Sequence, residues 1–140
     1  MSFDVLGDLN WLAVIVAAVA YFALGGLWYA RPVFGGPWQR ASGITVPEGQ
    51  RPGAAFYIIP LFTCFLSTLA TAMIAASTGS STAGDAIVLG VVVGVGFAVA
   101  LTLLEAAFSN RPQPAVYFAI IAGYHLVGLV GVALIVTLWD

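Results

Sequence analysis

The sequence predicts an all-α integral membrane protein: one domain over residues 1–140, folded as a four-helix bundle with both termini outside and a short interfacial helix in the first cytoplasmic loop. Three observations carry that expectation. Of 140 residues, 61% are hydrophobic and 7% charged, against about 45–50% and about 25% in a soluble domain. The apolar residues gather into four runs, at 11–30, 54–77, 85–108 and 115–139. Each run matches the ~20 residues that a helix rising ~1.5 Å per residue needs to cross a ~30 Å hydrocarbon core. Finally, all four arginines fall in two of the connections, and there is no lysine. A closed barrel, the other way to span lipid, requires strands that alternate apolar and polar residues, and these runs do not alternate.

The same composition excludes several classes. A net charge of −2 leaves no basic surface for nucleic acid. Cys64 is the single cysteine, so no disulfide forms within the chain and no metal-ligand spacing exists. No Gly-rich phosphate loop, nucleophile elbow or Ser/His/Asp spacing appears, so neither an enzyme nor a bound cofactor is expected.

The predicted helices lie at about 10–30, 54–77, 84–108 and 114–139. The first is expected to be retained rather than cleaved as a signal peptide. Its leader "MSFDVLGDLN" has no Lys or Arg and carries Asp4 and Asp8, and the apolar run continues ten residues past Ala18-Val19-Ala20. The following loop, "RPVFGGPWQRASGITVPEGQRP", contains Gly35-Gly36 and four prolines that forbid a continuous helix. Pro37 starts a short helix ending at Gly43, with Trp38 in the headgroup region and Arg40 facing phosphate. The second long helix carries Pro60, which removes one backbone donor. Thr82-Ala83-Gly84-Asp85 forms a capping box that starts the third. The turn "SNRPQP" puts Pro114 at the first position of the fourth, making the last two helices antiparallel neighbours.

Arg31, Arg40 and Arg51 lie in the first loop and Arg111 in the third. The positive-inside rule therefore predicts cytoplasmic loops one and three and external termini. Trp11 and Trp139 are the expected anchors at the outer boundary, and Trp28, Tyr29 and Trp38 those at the inner one.

The third helix has a small residue at every fourth position, at Ala86, Gly90, Gly94, Ala98, Thr102 and Ala106. Such a groove admits close backbone approach. It can be filled within one bundle or between copies, and a homo-oligomer or larger membrane complex is expected from a four-helix chain of this size.

Ionisable groups inside a membrane cost about 2.5–3.5 kcal/mol on insertion scales, which makes each a functional candidate. His125 lies eleven residues beyond Pro114, ~16 Å deep at ~1.5 Å per residue. Glu105 is four residues from Ser109, only ~6 Å from its helix end. That difference of ~10 Å in height rules out an acid–base dyad between them. Tyr21, Thr63 and Cys64 share the height of His125, so Tyr21 or Thr63 is the expected hydrogen-bond partner of a neutral imidazole, with Tyr124 beside it. The group serves either packing, or proton relay and solute binding. Glu105, seven residues after Ala98, should point into the bundle, with Trp28, Tyr29, Arg31 and Arg111 as candidate partners.

Four motifs occur in order along the chain: "NWLAV" (Asn10–Val14), "GLWY" (Gly26–Tyr29), "FGGPW" (Phe34–Trp38) and "GYHLV" (Gly123–Val127). Together they resemble the small bacterial integral membrane proteins of the family called domain of unknown function 1761. That resemblance implies a four-helix, multi-pass protein of the bacterial inner membrane, and implies nothing about activity. It singles out Asn10, Trp28, Tyr29, Trp38, Tyr124 and His125. One departure is that "WY", commonly followed by Ser-Pro in this pattern, is followed here by Ala30-Arg31-Pro32. The expected role is a structural or accessory component that assembles through the third-helix groove. The alternative is a small transporter or channel with a polar track around His125 and Glu105.

Overall fold

A computed structural model describes residues 1–139, and among them every regular element is helical. Four helices are long and apolar enough to cross a membrane: α1 (Trp11–Trp28), α3 (Ala55–Thr78), α4 (Ala83–Ala107) and α5 (Pro114–Leu138). A short α2 (Gly36–Ser42) lies in the first loop, entered through one wide turn at Arg31–Gly35. All four spans agree with the apolar runs to within one or two residues.

Local chemistry sets the boundaries. Asn10 Oδ1 accepts from the Ala13 amide at 3.1 Å and caps α1. Gly43 and Gly79 end α2 and α3 in the left-handed region, with φ of 76° and 66°, where a side chain would be strained. The expected capping box is present: Asp85 N donates to Thr82 Oγ1 at 3.1 Å, and Thr82 N donates back to Asp85 Oδ2 at 3.0 Å. Some hydroxyls inside the spans bond their own helices, as Thr71 does to Ser67 O at 2.8 Å and Thr102 to Ala98 O at 2.7 Å, whereas the buried hydroxyls of Thr68 and Thr137 have no partner among the described residues. The bonds within a helix satisfy polar groups that lipid cannot.

The last helix is the hub. α5 packs against α1, α2, α3 and α4, and it separates α1 from α4. Three buried clusters stack along it. At the end bearing the arginines, Ala41, Ala106 and Tyr117 join α2, α4 and α5. In the middle, Ala17, Tyr21, Cys64, Tyr124, Leu129 and Val132 join α1, α3 and α5. At the terminal end, Ala75, Ala86, Leu89 and Ala133 join α3, α4 and α5. Asn10 Nδ2 also donates to Trp139 O at 3.2 Å there, tying the two termini together.

The small-residue groove of α4 is filled by α5 of the same chain. A methyl group built on Gly90 would stand 2.5 Å from Val130 Cα, and one on Gly94 would stand 3.0 Å from Leu126 Cδ1. This corrects the expectation that the groove carries assembly, because α5 already occupies it. A stride of four residues drifts about 40° per step on an ideal helix. The groove nevertheless holds its face, because α4 widens into a π-turn at Gly94–Val99 that takes up the drift. Ala86, Gly90, Gly94, Thr102 and Ala106 are buried, and Ala98, inside the wide turn, is half-buried.

Candidate intramembrane polar site

His125 stands at the middle of α5, and the site around it is made by glycines that leave room for aromatic rings. Gly128, one turn along, has no Cβ because the Tyr21 ring of α1 occupies that space. Gly25 on α1 similarly admits Tyr124, whose Oη lies 2.9 Å from where a methyl would be, and Gly123 admits Trp28 at 3.2 Å. Rings from facing helices thus interlock through three positions without side chains.

The interlocked rings carry a hydrogen-bonded set. Tyr21 Oη and His125 Nδ1 share a bond of 2.5 Å. Tyr124 Oη donates to the Tyr21 carbonyl at 3.1 Å, and Cys64 Sγ lies 3.6 Å from Tyr124 Oη. The second imidazole nitrogen, Nε2, has no protein partner among the described residues, nor is it sealed from the surface. It is the one ring atom available to another molecule. Depending on the tautomer set at Nδ1, it offers a donor or an acceptor.

A cleft of about 190 Å³ reaches this set, lined by Tyr21, Ile59, Pro60, Thr63, Cys64, Ser67, Tyr124 and His125. It exists because the loop-side half of α3 stands off the bundle: every residue from 53 to 63 is exposed, and Cys64 is the first buried one. Thr63 lines the cleft without bonding the imidazole, its hydroxyl donating to Pro60 O at 2.9 Å instead. Of the two partners weighed for His125, Tyr21 is therefore the one in place.

Glu105 belongs elsewhere. Arg111 Nη2 donates to its Oε1 at 2.6 Å, and Tyr117 Oη lies 3.1 Å from each carboxylate oxygen. The Arg111 guanidinium also lies 3.8 Å over the Tyr117 ring and reaches the Ser42 carbonyl at 3.5 Å. The carboxylate is half exposed at the rim, which corrects the inward orientation expected from the seven-residue spacing. Beyond the wide turn of α4, Thr102 and Ala106 face α5 and Glu105 falls beside that face. Arg31, another proposed partner, pairs with Glu48 instead. A double-mutant cycle of Glu105→Gln and Arg111→Gln, read by unfolding in detergent, should give a coupling of about 0.2–1 kcal/mol, the range of exposed pairs.

The aromatic anchors divide. Trp11 and Trp139 remain exposed at the terminal end. At the other end the rings turn onto one another. Trp28 Nε1 donates to Ile120 O at 3.0 Å, Tyr29 meets Trp38 edge-on with centroids 5.7 Å apart, and Tyr29 meets Tyr124 at 5.4 Å. These residues link the first loop to the polar site and are more than membrane anchors. Sequence reasoning missed Gly25, Gly123, Ser67 and Tyr117. Tyr117 was within reach of it, since counting equal heights on the two sides of the Ser109–Pro114 turn puts it opposite Glu105.

Four apolar spans around a polar set at mid-height, with a cleft leading to it, define a multi-pass membrane protein with a candidate intramembrane binding site. The chain belongs to the family described as Protein of unknown function (DUF1761), whose family model matches residues 12–137. Comparison with curated proteins and with solved structures gives no match.

Proposed function

We propose that this protein is a small transporter that binds a polar solute or a proton within the bilayer at the cleft beside His125. The observation that carries the reading is the cleft itself, which brings an unpartnered imidazole nitrogen, two phenols, a thiol and two hydroxyl-bearing residues to one space of about 190 Å³ at mid-span. A residue kept only for packing needs no such space. The loop-side half of α3, exposed on all its faces and carrying Pro60, supplies a segment whose movement would open or close it. In this reading the work is binding and passage rather than catalysis, and Glu105 fixes the hairpin between α4 and α5 instead of forming part of the track. The arginine pattern supports loops that face the cytoplasm, termini outside and α2 lying in the interface; the family resemblance supports the plasma membrane of a bacterium.

Cys64, as the only cysteine, reports on the cleft directly. A small charged methanethiosulfonate reagent should modify it in the folded protein reconstituted into vesicles. The His125→Phe variant, whose larger ring lacks the polar nitrogens, should slow that modification. Failure to modify native protein that reacts fully once denatured would mean a dry cleft and would sink the transporter reading.

A second reading, a component of a larger membrane assembly, is supported by one observation: Phe56, Tyr57, Ile58, Ile59 and Phe62 are exposed all round the free half of α3. Sedimentation in density-matched detergent giving the mass of one chain would remove it.

A further inference from the structure

The first loop builds a second polar cleft that owes nothing to His125. Its volume is about 280 Å³, and Arg31, Gly36, Gln39, Arg40 and Thr45 line it. The hydrogen-bonding character of these walls is one-sided. Arg31 is held in place by Glu48 Oε1 and by the Val46 carbonyl. Gln39 accepts from the Val46 amide through Oε1 at 3.3 Å, which leaves its NH₂ group as the free end. Arg40 is exposed and has no acidic partner among the described residues. Gly36 lies against it, with Arg40 Nη1 3.6 Å from where a methyl on that glycine would stand. Thr45 adds a hydroxyl. Two guanidinium groups face a single carboxylate, that of Glu48, so the cleft keeps one uncompensated positive charge and an excess of donors.

We propose that this cleft binds a phosphate group, with Arg40 as its principal ligand and Gln39, Thr45 and the free edge of Arg31 completing the contact. Planar guanidinium donors match the oxygens of phosphate in geometry and charge. The site lies beside Trp38, at the end of the bundle that carries every arginine, where lipid phosphates meet a spanning helix. A lipid headgroup and a free phosphate offer the same chemistry, and the test separates them.

The full chain, purified in an uncharged detergent, is unfolded by heat in the presence of three probes: phosphatidylglycerol micelles, matching micelles with diacylglycerol in its place, and inorganic phosphate. Phosphatidylglycerol alone raising the midpoint identifies a lipid headgroup site, and a rise with inorganic phosphate as well identifies a site for free phosphate; either result supports the proposal. Arg40→Gln should weaken the effective probe about tenfold or more, the loss expected for a charge-assisted contact, and Arg40→Lys should recover part of it. Because Arg40 is exposed, both variants should keep wild-type helix content by circular dichroism. No response to either phosphate-bearing probe would overturn the proposal, and so would an equal response from wild type and Arg40→Gln.

Discussion

Gly90→Leu should prevent α4 from closing onto α5, and even Gly90→Ala should destabilise the chain by about 3 kcal/mol, the upper part of the range for overpacked contacts. The reason is what the new atom meets. A methyl on Gly90 would lie 2.5 Å from Val130 Cα and 3.0 Å from both Leu129 O and Val130 N. These are backbone atoms of the hub helix, which cannot yield unless the helix itself shifts. Gly94 provides the internal control. Its nearest neighbour is the end of the Leu126 side chain at 3.0 Å, which can rotate aside, so Gly94→Ala should cost less than about 1.5 kcal/mol. Unfolding of the two variants in mixed micelles checks the contrast. Equal losses at the two positions would mean that α4 and α5 are not seated as described.

The second large effect concerns the polar site. Gly128→Ala should displace the Tyr21 ring, break its bond to His125 and destabilise the protein by about 3 kcal/mol, combining a steric term of about 1–3 kcal/mol with loss of an interhelical hydrogen bond worth about 0.6 kcal/mol on average. Tyr21→Phe removes only the hydroxyl and should cost no more than about 1.7 kcal/mol. If the ring is the obstacle, Gly128→Ala should become nearly neutral in a Tyr21→Ala background, where the space is vacant. Nitrogen chemical shifts of the single imidazole give a separate readout: Gly128→Ala and Tyr21→Phe should both alter the Nδ1 signal by removing its partner. An unchanged Nδ1 signal in both variants would remove Tyr21 from the site.

The polar site was legible in part. Counting residues from the helix ends brought Tyr21, Thr63 and Cys64 to the height of His125, because rise per residue is nearly constant and each span has one end near the surface that carries the arginines. Rotation about the helix axis was not legible to the same degree. Thr63 has the right height but turns its hydroxyl back to Pro60, and Glu105 has the right heptad spacing but lies on the far side of a widened turn. Height accumulates as a small, steady increment. Direction depends on ~100° steps, so one extra residue in a turn redirects every side chain that follows.

The glycines make the same point in packing. Gly90 and Gly94 announced themselves by their stride along α4. Gly25 and Gly123 did not, because each is small for the sake of one ring on another helix, and nothing in its own neighbourhood records that ring.

Taken alone, the sequence determined the membrane class, the four spans, the capping box that starts α4, the proline that starts α5 and the short helix of the first loop, since each follows from local composition, hydrophobic length or a nearby capping residue. Only the tertiary structure decided that α5 is the hub, that it fills the groove of α4, that His125 bonds Tyr21, and that the free half of α3 leaves a cleft beside them. The physical reason is that lipid imposes a length and a polarity on each span separately. It says nothing about which face meets which, and that choice rests on the fit of particular rings into particular gaps between helices.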